Sequence, residues 1–250
     1  MSLSAQPTTL AEIAPLRQLY RREMNCQVMF DSLHVRPGWT KSWQLLINND
    51  PVGYASIAIA GPWKDKPTAF EFFILPEHRL RIFDLFETFL SVSNPIAIET
   101  QTNAPLMSAM LHTYAKSIAV EAILFHDKIT TTLAPPDVIF RRAAPNEIIK
   151  AKDESLDVSA EYLLESRGQI VATGGILYHY NPPYGDIFMA VAESHRRRGL
   201  GSFLVQELKR TAYELAHIPA ARCNVNNIPS RKTLQKAGFV PCGNILNGVL

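Results

Sequence analysis

A short apolar run, Ile187–Val191, leads directly into a loop rich in arginine and glycine, RRRGLG at Arg196–Gly201, and then into a segment of helical periodicity. The run is short enough to be a buried strand. From Ser202 to Leu215 the apolar residues Phe203, Leu204, Leu208, Ala212 and Leu215 recur at helical spacing, with Gln206, Glu207, Lys209 and Arg210 on the other side. A strand, a tight loop and a helix in this order leave several backbone N–H groups unpaired at the helix start, where the helix dipole also favours an anion. Gly199 and Gly201 place no side chain between those N–H groups and a phosphate. Arg196, Arg197 and Arg198 add charge-assisted donors. A solvated basic turn capped by glycines is the bland alternative, and a nucleic-acid contact is a third reading.

The elements around this loop follow one after another. TTTLAPPD at Thr130–Asp137 has two prolines and no helical period, so it reads as an extended linker. After it come a short strand, Ile139–Arg142, and a short helix, Asn146–Glu154, introduced by Pro145. Tyr162–Glu165 and Ile170–Tyr178 flank the turn Ser166–Gln169 and form a hairpin. Beyond the loop, a strand near Arg222–Val225 precedes a helix, Ser230–Ala237, that Gly238 stops, and Phe239 and Val240 open a last strand.

Composition narrows the possible partners. A formal charge of +2 over 250 residues does not by itself call for a polyanion, and RRRGLG lacks the interleaved aromatics of a nucleic-acid surface. Cys26, Cys223 and Cys242 are odd in number and show no metal-site spacing, which fits a reducing cytoplasm. No stretch is apolar over the roughly 20 residues of a membrane span. The expectation is a soluble cytoplasmic chain with no metal, no membrane and no nucleic acid. Its oligomeric state is not written in the sequence.

With these residues in place, the second half resembles the GNAT superfamily of acyl-CoA-dependent N-acetyltransferases. Arg196, Gly199 and Gly201 stand where that family has Gln or Arg, Gly, and Gly or Ala, and a second family segment is matched by Asn227, Ser230, Leu234, Lys236, Gly238 and Phe239. The resemblance implies a mixed sheet whose strand ending at Val191 splays from the one near Cys223–Val225 to admit a pantetheine arm. It implies acetyl-CoA as cosubstrate, held by Met189, Val191, Arg196, Arg197, Arg198, Gly199, Leu200, Gly201, Ser202, Asn227 and Ser230. It also implies that the backbone N–H near Val191 polarises the thioester carbonyl. The acceptor would be a small-molecule or peptide amine, attacking directly. Leu234 departs from the family's usual Tyr and cannot donate a proton. For the base that takes the amine's proton, Asp186 and His179 are the leading candidates, with Tyr178 and Glu193 near them.

The first half repeats the order faintly. Trp43–Ile47, the turn Asn48–Pro51 and Val52–Ala60 form a hairpin, Phe70–Leu75 a strand, and Ile82–Leu90 an amphipathic helix. ILPEHR at Ile74–Arg79 aligns with VAESHR at Val191–Arg196 without a gap, which points to a tandem duplication. In that alignment Ile82 and Asp84 replace Gly199 and Gly201: one side chain blocks a pyrophosphate and the other repels it. The expected fold class is therefore α/β (α+β), with two GNAT-like mixed-sheet domains and flanking helices. A degenerate domain would cover 1–130, a linker 131–137, and an N-acetyltransferase domain 138–250. A CoA-binding regulatory or interaction module without catalysis is the alternative function.

Overall fold

The computed structural model describes residues 2–24, 27, 31–144, 147, 160–178 and 181–250. The expected helix Asn146–Glu154 lies outside the described residues apart from Glu147, and so do Cys26 and His179. In chain order the elements are β1 (Leu3–Thr8), α1 (Ala14–Met24), α2 (Asp31–His34), β2 (Thr40–Ile47), β3 (Asp50–Ala58), β4 (Thr68–Ile74), α3 (Ile82–Ser93), β5 (Ala97–Gln101), α4 (Pro105–Tyr114) and β6 (Ser117–Asp127). They continue with β7 (Ile139–Arg142), β8 (Tyr162–Ser166), β9 (Gln169–Leu177), β10 (Tyr184–Val191), α5 (Leu200–Glu214), β11 (Ile218–Asn224), α6 (Ile228–Lys236) and β12 (Phe239–Val249).

Two compact units result, Met1–Ala122 with Gly243–Leu250, and Ile123–Cys242. They divide the chain differently from the expected 1–130 and 138–250. The end of β12 explains the difference at the C-terminus: Ile245–Val249 pairs antiparallel with Gln101–Ala97 of β5, so the last residues complete the first unit. The stretch Thr130–Asp137 is free of helix and strand, as its prolines require.

Both units are built alike. In the first, β2, β3 and β4 run antiparallel, and β4 pairs parallel with β5 only at Thr68–Ala97 and Ala69–Ile98. α3 closes one face of this sheet through Leu85, Phe86 and Phe89, with the Phe72 and Phe86 rings packed edge to face at 4.8 Å. In the second, β7, β8, β9 and β10 run antiparallel and β10 pairs parallel with β11. Leu204, Val205, Leu208 and Ala212 of α5 pack on Val171, Ile176 and Ile187. Each large aliphatic side chain buried here contributes roughly 1.5–3 kcal/mol.

The polar side of α5 is not a solvent face. Gln206, Glu207 and Lys209 are all buried, and each bonds other protein groups, Glu207 through Gln206 and Arg210. Gln206 exchanges two hydrogen bonds with the backbone of Leu133, at 2.7 and 3.1 Å. Lys209 Nζ donates to the carbonyls of Ile129 and Ala237 and pairs with Asp127 at 2.6 Å. Amphipathic spacing alone does not reveal that protein groups, rather than water, satisfy these side chains.

The first unit holds a buried ion cluster that its hydrophobic pattern conceals. Arg17 of α1 grips Glu71 of β4 with two bonds of 3.0 Å, Tyr54 donates its hydroxyl to Glu71 at 3.0 Å, and His34 Nε2 lies 3.1 Å from the same carboxylate. Burial opposes ionisation of Glu71, but Arg17 and His34 outweigh it and hold the carboxyl far below the usual range. A group depressed in this way contributes stability that is full above its unfolded value of about 4.3 and is lost as pH falls towards the folded value. Glu71→Ala, which leaves the buried Arg17 guanidinium with Asp31 in place of a two-bond partner, is therefore expected to cost about 3 kcal/mol in urea unfolding at pH 7. Wild-type stability should also fall more steeply below about pH 4 than that of Glu71→Gln; parallel pH profiles would contradict the cluster's role.

Candidate functional site

Parallel pairing of β10 with β11 covers three residues, Tyr184–Ile218, Gly185–Pro219 and Asp186–Ala220. Beyond them both strands continue, β10 to Val191 and β11 to Asn224, without further pairing between them. On its other edge β10 stays paired with β9 from Asp186 to Val191. The register fixes where its backbone points. Ala192 donates to Val171 at 3.0 Å, so alternate residues Ala190 and Phe188 also face β9. The N–H groups of Val191 and Met189 then point to the side from which β11 has withdrawn.

A cavity of about 1160 Å³ opens in the second unit at this divergence. Met189 and Val191 form its β10 wall, and Ile170–Thr173 of β9 continue it. The loop contributes Arg196, Arg197, Gly199, Leu200, Gly201 and Ser202, and α6 contributes Asn227 and Ser230. All the residues expected to hold the cofactor therefore meet in one cavity, with one exception. Arg198 is exposed and is not part of the lining.

The loop geometry follows from its residues. Gly199 is the N-cap of α5 at φ +79°, and Arg197 also has a positive φ of 63°. Successive positive-φ positions turn the chain sharply enough to aim the first N–H groups of α5 into the cavity. A Cβ on Gly201 would come within 3.1 Å of Thr233 Cγ2 and 3.3 Å of Val191 Cγ2. Arg196 Nε reaches back to the carbonyl of Val191 at 3.3 Å, tying loop to strand. Ser202 is committed elsewhere: its buried hydroxyl donates to the carbonyl of Thr233 and joins α5 to α6, which leaves its backbone N–H for a ligand. Asn227 caps α6 by accepting from the N–H of Ser230 at 3.1 Å.

Asp186 lies apart from this lining. Its register partner Leu177 and the alternation of β10 place it on the face opposite Ile187, Met189 and Val191, hence opposite α5. It is buried beside Arg222, whose Nε is 3.4 Å away. Burial pushes its carboxyl up to about 6, against the pull of Arg222. His179 lies outside the described residues. Tyr178 is at the far end of β9 and β10, its ring 4.3 Å from that of His217, and burial raises its pKa further from neutrality. Glu193 lines the cavity with an exposed side chain 3.9 Å from Arg196. Lys232 and Thr233 also line the cavity, although sequence reading did not single them out.

The corresponding loop of the first unit keeps the frame and carries Ile82 and Asp84 in place of the glycines. Arg79 Nε bonds the carbonyl of Ile74 at 3.1 Å, the counterpart of Arg196 and Val191. Asp84 sits in the first turn of α3, paired with Arg81 at 2.6 Å.

Residues 129–239 match the model of the acetyltransferase (GNAT) family. Among solved structures, an acetyltransferase of the GNAT family from Colwellia psychrerythraea has a TM-score of 0.76 at 16% identity, over 100% of both chains. A tandem GNAT protein from the clavulanic acid biosynthesis pathway has a TM-score of 0.61 at 15% identity, over 98% of this chain and 97% of that one. A GCN5-related N-acetyltransferase from Sphaerobacter thermophilus gives 0.60 at 11%, over 98% and 94%. No curated protein sequence gives a significant match. Residues 129–239 are thus similar to the GNAT acetyltransferase family, and the chain as a whole has the mixed α/β fold of these structures.

Gly201→Asp, which gives the second unit the carboxylate of Asp84, is expected to weaken CoA binding by more than about 100-fold through repulsion and lost N–H access. Its far-ultraviolet circular dichroism should stay native. Unchanged CoA affinity in calorimetry would contradict the role of the loop.

Proposed function

We propose that this GNAT-domain chain is an acyl-CoA-dependent N-acetyltransferase whose second unit moves an acetyl group from acetyl-CoA to a primary amine by direct attack. The observation that carries the reading is the divergence of β10 and β11 over a cavity that runs into the α5 cradle. A pyrophosphate fits that cradle, which offers backbone donors, two glycines and the cations Arg196 and Arg197. Bound acetyl-CoA would supply an acyl thioester, whose C–S bond breaks as the amine's C–N bond forms.

The chain's own groups suit the remaining work. The outward N–H groups of Met189 and Val191 can donate to the carbonyl oxygen as it gains charge. Asp186 can take the proton that a primary amine must shed. Three residues of extended strand, about 10 Å, separate Asp186 from Met189, against about 16 Å from Val191. This favours Met189 N–H as the carbonyl donor and a water relay between Asp186 and the amine. The first unit, with Ile82 and Asp84 in its loop, acts as a degenerate domain without its own CoA. The buried free thiol of Cys223 suits a cytoplasmic setting, and no helix among the described residues is long and apolar enough to cross a membrane.

One observation favours the alternative, a CoA-binding module without catalysis: Leu234 is buried in the core at the place where the resemblance puts a proton-donating Tyr. A thiol of pKa about 8.5 leaves tolerably well without an acid, so the leading reading stands. Release of free CoA thiol from acetyl-CoA across a panel of small amines and peptides decides between the two. Amine-dependent release is expected, and tight CoA binding with no turnover on any amine would overturn catalysis. For an active acceptor, kcat should rise with pH through about 6 as Asp186 ionises. Asp186→Asn should lower kcat by about 100-fold or more and remove that limb while leaving the KM for acetyl-CoA near wild type. An unchanged pH profile would exclude Asp186 as the base.

A further inference from the structure

The charges around the cavity exceed what a pyrophosphate requires. Among its described lining residues Glu193 is the sole carboxylate, against Arg196, Arg197 and Lys232. A fourth cation, Lys236, leans over the loop: a Cβ placed on Gly199 would lie 3.5 Å from Lys236 Nζ. Arg196 spends part of its charge on Glu193 and on the Val191 carbonyl. Lys232 and Lys236 form no ion pair with a carboxylate among the described residues. They stand four residues apart on α6, so both side chains project from one side of the helix. Two ammonium groups without carboxylate partners on one side of a helix repel each other weakly, and an anion between them would turn that repulsion into attraction to both.

We propose that Lys232 and Lys236 hold the 3′-phosphate of the cofactor's ribose, so that the site distinguishes CoA from its 3′-dephospho form. This assignment rests on the cofactor reading given above. The loop N–H groups, with Arg196 and Arg197, account for the pyrophosphate. A phosphomonoester carries close to two further charges at neutral pH, which is the demand left for the two α6 lysines. Ammonium groups suit this role, since they act as mobile point charges at a solvent-facing phosphate rather than as a fixed fork.

Calorimetric titration of the full chain with CoA and with 3′-dephospho-CoA tests the assignment without any need for turnover. The wild type should bind the dephospho form more weakly by about tenfold to 100-fold, the range expected for charge-assisted bonds to one phosphate. The double variant Lys232→Ala/Lys236→Ala changes only exposed side chains. It should bring CoA down to the affinity of the dephospho form and leave that form's own affinity unchanged. Equal wild-type affinity for the two nucleotides, or an equal loss of both in the variant, would overturn the assignment while leaving the cofactor reading intact. Failure of the wild type to bind either nucleotide would overturn both.

Discussion

Parallel pairing between β10 and β11 stops after Asp186–Ala220, and the site depends on that stop. A continued ladder would turn the N–H groups of Met189 and Val191 into ordinary sheet bonds and close the cavity. Their release on one edge, with β9 still holding the other, gives an open set of donors on a rigid strand. The same strand hands over to the Arg196–Gly201 loop, which Arg196 fastens back to Val191 and Ser202 fastens to α6. Strand edge, loop and helix start are thereby fixed to one another by hydrogen bonds, and a ligand spanning them meets prearranged donors.

Much of this was legible in the sequence, and the physics says which part. Ile139–Arg142, the hairpin at 162–177, α5, and the hairpin and helix of the first half all follow from alternation or helical period together with strong turn residues. The loop was readable because glycine and arginine have few reasons to alternate there other than a tight turn that faces an anion. Two of the elements that escaped have polar residues at buried positions. α1 turns Arg17 into the core, which masks its amphipathic period, and β5 buries Glu99, Thr100 and Gln101. The burial of Gln206 and Lys209 was hidden for a related reason, since their partners include main-chain atoms far away in sequence. Lys232 and Lys236 look like ordinary surface lysines until the fold brings α6 beside the loop. The boundary between the units was also out of reach, because the partner that β12 selects is a long-range choice.

Comparison of the two units separates scaffold from function. Both keep a β4- or β10-type strand, a short parallel pairing that ends early, and an arginine bonded to the strand's last carbonyl. They differ where a ligand would sit. The second unit offers glycines and several cations against the single carboxylate of Glu193, while the first offers Ile82 and an Asp84 that pairs with Arg81. The first unit also fills the opposite face of its strand with the Arg17, Glu71 and His34 cluster, at a level where the second has Phe188.

The central claim is that one of the two duplicated cradles is a CoA site and the other is closed. Calorimetric stoichiometry of the full chain with CoA tests it most directly. The account predicts one equivalent per chain, in a single binding phase. Two equivalents, or none, would contradict it.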